Sequence, residues 1–198
     1  EDKPYRHWKT TDVLPWDMCT GILTLPIAPA VIPDRDGTRN TYNSSRAFVT
    51  PERRADFPAC SVLAEALQRP SVAAQCAETF GVDPKGSYLR IEYIQDVDGC
   101  WLEPHRDIPD KLFSMVLYLC TGPEAKNWGT DIYDTDKKHL GRSPFRPNGA
   151  MVFVPSNITY HGFEARRIEG IRKSVIINYV TNEWRAREQL SFPNAPIA

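Results

Sequence analysis

The chain has 198 residues, 41% of them hydrophobic and 11% aromatic, which excludes a disordered polymer and leaves room for one domain with a sizeable core. Twenty-four Lys and Arg against 25 Asp and Glu leave a net charge of −1, which argues against a general nucleic-acid or membrane-surface binder. Seventeen prolines argue against a bundle of long helices, and no stretch reads as a signal peptide or as the ~18–20 apolar residues of a spanning helix.

Apolar residues spaced along Val13–Leu25 predict one short helix, ended by Pro26. The stretch from 33 to 50 is rich in Asp, Asn, Ser and Gly and predicts a loop. Its Arg39, Asn40 and Arg46 are candidate substrate contacts, because polar loops beside a rigid scaffold often bind. The plainer reading is a solvated surface loop. Phe57–Leu67 and Ser71–Phe80 predict two helices, the second capped by Ser71 and stopped by Gly81.

Near residue 85 the period changes to two. From Ser87, Leu89, Ile91 and Tyr93 alternate with Tyr88, Arg90 and Glu92, the pattern of a half-buried strand. Phe113–Cys120, Thr130–Tyr133, Ala150–Val154 and Arg172–Val180 follow as further strands. Short strands in series, with Gly and Pro between them, predict a sandwich or barrel with the N-terminal helices over one face. Five widely spaced cysteines without a Cys-x-x-Cys pair predict free thiols and a reduced, cytoplasmic setting.

The informative stretch is Glu103-Pro104-His105-Arg106-Asp107. On an extended strand, residues two apart share a side, so His105 and Asp107 present an imidazole and a carboxylate to one point. His161, beyond a buried strand and a turn, is the candidate third ligand. Two His and one carboxylate on one face leave positions open, which suits non-haem Fe(II). A His-x-Asp pair alone is weak, but Arg172 and Ser174 share one strand face shortly after His161. A guanidinium beside a hydroxyl makes a carboxylate receptor. His7 and His139 sit in charged surroundings and read as surface histidines, and Glu103 as solvent-facing.

His105-x-Asp107, then His161, then Arg172-x-Ser174 resembles the signature of the Fe(II)/2-oxoglutarate-dependent dioxygenases. Glu103–Asp107, Val116–Leu119 and Phe153–Ser156 are closest to the prolyl-hydroxylase-like branch, and the resemblance spans about residues 87–184. Trp128-Gly129-Thr130-Asp131 departs from that branch's Gly-Gly-x-Thr turn, which puts the substrate in doubt.

The resemblance implies a mainly β fold with N-terminal helices around a double-stranded β-helix, a cupin-like jelly-roll. It would form a single domain over 1–198, with a helical and loop portion at 1–85, the core at 86–184 and a tail at 185–198. It implies Fe(II) held by His105, Asp107 and His161, with O2 and 2-oxoglutarate as cosubstrates. Arg172 and Ser174 would hold the distal carboxylate of 2-oxoglutarate, with Tyr93 beside them. The implied reaction hydroxylates a C–H bond of a small molecule or peptidyl residue and releases succinate and CO2. Asp107 stands where halogenating members have a small residue, which disfavours halogenation. Trp101, Trp128 and Asn178 are further substrate candidates. No catalytic residue beyond the metal ligands and no nucleic-acid or membrane partner is expected. The rival reading is a non-enzymatic metal- or ligand-binding sandwich, cupin-like or lectin-like, which would have no need of Arg172-x-Ser174.

Overall fold

The computed structural model describes residues 1–32, 35–43 and 46–198, with only the backbone at Asn40 and Asn43. Among the described residues are ten strands: β1 (His7–Thr10), β2 (Ala47–Phe48), β3 (Tyr88–Asp96), β4 (Leu102–His105), β5 (Lys111–Tyr118), β6 (Asp131–Tyr133), β7 (His139–Arg142), β8 (Gly149–Phe153), β9 (His161–Phe163) and β10 (Arg172–Val180). They form two antiparallel sheets, one in the order β1-β8-β5-β10-β3-β2 and one in the order β4-β9-β6-β7.

Period-two alternation gives the six-stranded sheet two different faces. Leu89, Ile91 and Tyr93 of β3, Leu117 of β5 and Val175, Ile177 and Tyr179 of β10 point outward. They pack against three helices, α1 (Trp16–Leu23), α4 (Pro58–Gln68) and α5 (Pro70–Phe80), through Ile22, Leu63, Ala73 and Phe80. Each such apolar side chain, fully buried, stabilises by about 1.5–3 kcal/mol relative to exposure. The helices therefore cover one face of the sheet, as the order of elements predicts. On the other face Val116, Tyr118, Met151 and Phe153 meet Ile132 and Phe163 of the four-stranded sheet, so the two sheets share a second core.

Several expectations shift. The first helix starts at Trp16 rather than Val13, because the backbone N–H groups of Val13 and Leu14 bond to the carbonyl and side chain of Asn148 instead. The last helix is entered from Arg69, with Pro70 at its first position, so Ser71 is not the cap; Gly81 ends it at φ +71° as expected. The predicted loop from 33 to 50 contains α2 (Arg39–Asn43) and β2, and α3 (Pro51–Asp56) follows, its first turn closed by Thr50 accepting from the N–H of Arg53. Residues 33, 34, 44 and 45 of that loop lie outside the described residues. The 1–85 portion is not purely helical, since β1 and β2 extend the large sheet on either side. His7 is not a surface residue: it is 1% exposed, with Nδ1 on the Tyr5 carbonyl and Nε2 on the Glu1 carboxylate. The five cysteines are free thiols.

Candidate active site

His105 ends β4 and His161 opens β9, and the two are paired directly across the antiparallel ladder, their ring centroids 4.4 Å apart. A Cβ at Gly162 would lie 2.7 Å from the Leu102 carbonyl oxygen and 3.0 Å from that of Glu103, so glycine is what lets the strands close here. His161 lies beyond a buried strand and a turn, as its place in the sequence predicts. It opens a strand of three residues, after a turn in which Thr159 Oγ1 accepts from the N–H of Ser156 and donates to its carbonyl. Asp107 follows β4, and one ligand atom from each of His105, Asp107 and His161 lies within 4.8 Å of the others.

The residues fit a metal in chemistry as well as position. Nδ1 of His105 lies 2.9 Å from the Glu103 carbonyl and Nδ1 of His161 3.1 Å from that of Thr159, so each ring donates there and keeps the Nε2 lone pair. Asp107 accepts from Lys111 Nζ and from Ser114 Oγ, both at 2.5 Å, one on each oxygen. Each carboxylate oxygen has a second lone pair for a cation. Burial, then His161, lowers the His105 imidazole to about 3, and burial lowers His161 as well. Burial pushes the Asp107 carboxyl up, but Lys111, His161 and Ser114 outweigh it and hold it below its ordinary value. The three are therefore two neutral imidazoles and a carboxylate at neutral pH, the forms that bind metal.

Behind Asp107 a polar chain crosses the inner face of the large sheet. Ser114 Oγ accepts from Asn178 Nδ2 at 2.8 Å, and Asn178 Oδ1 accepts from Arg90 Nη1. Arg90 also donates to Glu92, which accepts two bonds from Arg39 Nη2 at 2.7 and 2.9 Å. Arg46 lies 4.0 Å from the same carboxylate. Asn178, a substrate candidate, thus orients Ser114 instead. The even-numbered face of β3 was expected to be solvated, yet Arg90 is 2% and Glu92 0% exposed. The sequence pattern does not mark Lys111, Ser114, Arg90 or Glu92 as site residues. The one signal for Ser114 was a lone hydroxyl in an apolar run.

At the far end of β10 lie the expected carboxylate-binding residues. Arg172 is buried against the Phe145 and Phe163 rings; Nη1 donates to Asp96 at 2.5 Å and Nε to the Trp128 carbonyl at 2.7 Å. Ser174 faces the same side, and its buried Oγ has no hydrogen-bond partner among the described residues. Tyr118 is paired with Ser174 across the ladder and also faces inward. Tyr93 does not: it points to the helices, with its hydroxyl 3.4 Å from the Leu23 carbonyl. Period two puts it with Leu89 and Ile91, away from Ser174.

Trp128 is buried, donating to the Arg167 carbonyl at 3.1 Å, and Trp101 donates to the Arg35 carbonyl at 3.0 Å with its ring against Gly37. Both hold neighbouring chain. Arg39 lines a cavity at the triad, while the Asn40 side chain lies outside the described residues. Asp131, His139 and Glu164 also cluster, but Arg142, Arg166 and the Glu164 N–H already take the Asp131 oxygens.

Solved structures with this architecture decide what the fold is. A prolyl-4-hydroxylase from Pseudomonas putida superposes with a TM-score of 0.62 at 14% identity, covering 89% of this chain and 92% of that one. A prolyl hydroxylase from Trichoplax adhaerens, bound to a hypoxia inducible factor peptide fragment, gives 0.63 at 13%, covering 91% and 86%. A 2OG-Fe(II) oxygenase family oxidoreductase from Burkholderia pseudomallei gives 0.58 at 14%, covering 83% and 78%. The fold is that of the 2OG-Fe(II) oxygenases. No family model and no curated protein matches the sequence. The oxygenase fold and the candidate metal group at His105, Asp107 and His161 stand on separate observations, one of backbone and one of side chains.

Proposed function

We propose that the protein is an Fe(II)- and 2-oxoglutarate-dependent oxygenase, built as a single domain on a double-stranded β-helix, that hydroxylates a C–H bond of a small molecule or peptidyl residue. The observation that carries the reading is the facing pair His105–His161 with Asp107, each imidazole keeping Nε2 free and both Asp107 oxygens held in place. These three residues hold the metal. When bound, Fe(II) with 2-oxoglutarate and O2 supplies the oxidising power for C–H cleavage, with succinate and CO2 released.

The chain's own residues prepare the site. The Glu103 and Thr159 carbonyls fix both tautomers. Lys111 and Ser114 hold the Asp107 carboxylate still and ionised. Arg172 takes the distal carboxylate of 2-oxoglutarate, with the unpartnered Ser174 hydroxyl adding a hydrogen bond. Asp96 keeps this guanidinium aimed inward before the cosubstrate arrives. That orphaned hydroxyl also weighs against a non-enzymatic sandwich, which has no use for a buried, unsatisfied Ser174 on the face of Arg172.

The test is a succinate-release screen over amino acids, small organic acids and peptides. The reading expects Fe(II)-dependent succinate matched by a product 16 mass units heavier than one substrate. Succinate formation that is indifferent to Fe(II), or no succinate with an intact fold and bound metal, would refute it.

A further inference from the structure

Beside the metal triad lies a cavity of ≈ 320 Å³ whose lining includes His105, Asp107, Arg39, Arg90, Lys111 and Trp184. Its volume is within the range of small-molecule sites. Its charge is lopsided. Its lining carries four cations, Arg39, Arg90, Arg106 and Lys111, against one carboxylate, Asp107, while Glu92 behind it pairs with Arg39 and Arg90 and lies 4.0 Å from Arg46. A divalent metal on the triad would add to the positive excess. Arg39 Nη1, and behind the cavity Arg46 Nε, are buried with no hydrogen-bond partner among the described residues. Burying unbalanced cations and unmade hydrogen bonds is unfavourable unless something of opposite charge completes them.

We infer that this cavity is the substrate pocket and that it takes a small molecule bearing an oxyanion group, a phosphate ester or a carboxylate, held by Arg39 together with Arg90 and Lys111. The inference rests on the oxygenase reading for the word substrate, but not for the anion site. The cosubstrate receptor is separate: Arg172 lies six residues along β10 from Asn178, about 20 Å of extended strand. Arg39 Nη2 is tied to Glu92, which fixes the guanidinium beside the cavity and leaves its buried Nη1 without a partner among the described residues. Trp184 supplies an apolar wall and stacks on Arg90, 4.6 Å from ring to guanidinium. The uncharged part of the substrate lies along it.

The test is calorimetric titration of the full chain, loaded anaerobically with Fe(II) and 2-oxoglutarate, with two matched pairs of probes. Glycerol phosphate is set against glycerol, and butyrate against butanol. At least one anion should bind tenfold or more tightly than its neutral partner while the visible band of the iron–2-oxoglutarate complex persists. Which pair shows the preference separates phosphate from carboxylate. Arg39→Gln should weaken that anion tenfold or more, and Arg39→Lys should recover part of the loss. No preference for either anion, or an unchanged affinity in Arg39→Gln, overturns the inference. Loss of the band in step with anion binding also overturns it, by making the cavity the cosubstrate receptor. If no band forms at all, the oxygenase reading fails, and the same titration of the metal-free chain decides the anion site on its own.

Discussion

What His105 and His161 offer a metal is decided by their other ring nitrogens, each of which is committed to a backbone carbonyl. The same logic applies to Asp107, whose orientation depends on Ser114. Outer hydrogen bonds of this kind typically change metal affinity 10–100-fold when removed. Ser114→Ala should therefore weaken Mn(II) or Fe(II) binding by about 10–100-fold while leaving the fold intact, as equilibrium dialysis would show. His105 carries a pH consequence. Burial and His161 lower its folded value to about 3, against 6.5 in the unfolded chain. Between those values the unfolded chain takes up the proton and the folded one does not, so stability falls as pH falls through that window. The urea midpoint of the metal-free protein should drop between pH 7 and pH 5, and less steeply in His105→Gln. Equal slopes would show that the imidazole is not held neutral.

At the level of elements, the closeness of β4 and β9 is the critical contact. Gly162→Ala would press a methyl on the Leu102 and Glu103 carbonyls, separating His105 from His161. Metal affinity should fall at least tenfold by dialysis, more than stability alone explains. Behind the site, Glu92 on β3 neutralises arginines from three segments, and removing one partner of a buried pair costs about 3–5 kcal/mol. Glu92→Gln should show a loss of that size in urea unfolding at pH 7. Strand length explains what could be read beforehand. β10 runs nine residues, and its predicted ends and inward face match the structure. β9 has three residues and β7 and β4 four, too few for a period to be counted. The polar row of β3 looked solvated because alternation reports two unlike faces, not which one meets water.

For the whole molecule, the architecture is shared with oxygenase structures at 13–14% identity, so it rests on pattern and not on particular residues. That is why two sheets with helices on one face could be anticipated, while the strands at the edges could not. No helix among the described residues is long and apolar enough to cross a membrane. A metal that binds only the folded chain adds about 2.7 kcal/mol at a hundredfold excess over its Kd, or about 5–10 °C in melting temperature for a domain of this size. Mn(II) should produce that shift in the wild type and not in His105→Ala or His161→Ala. The most direct measurement is the visible spectrum of the full chain mixed anaerobically with Fe(II) and 2-oxoglutarate. A weak charge-transfer band that saturates at one 2-oxoglutarate per chain, is lost in His161→Ala and needs far more 2-oxoglutarate in Arg172→Ala is the predicted result. A folded, iron-loaded wild type with no such band would contradict the account.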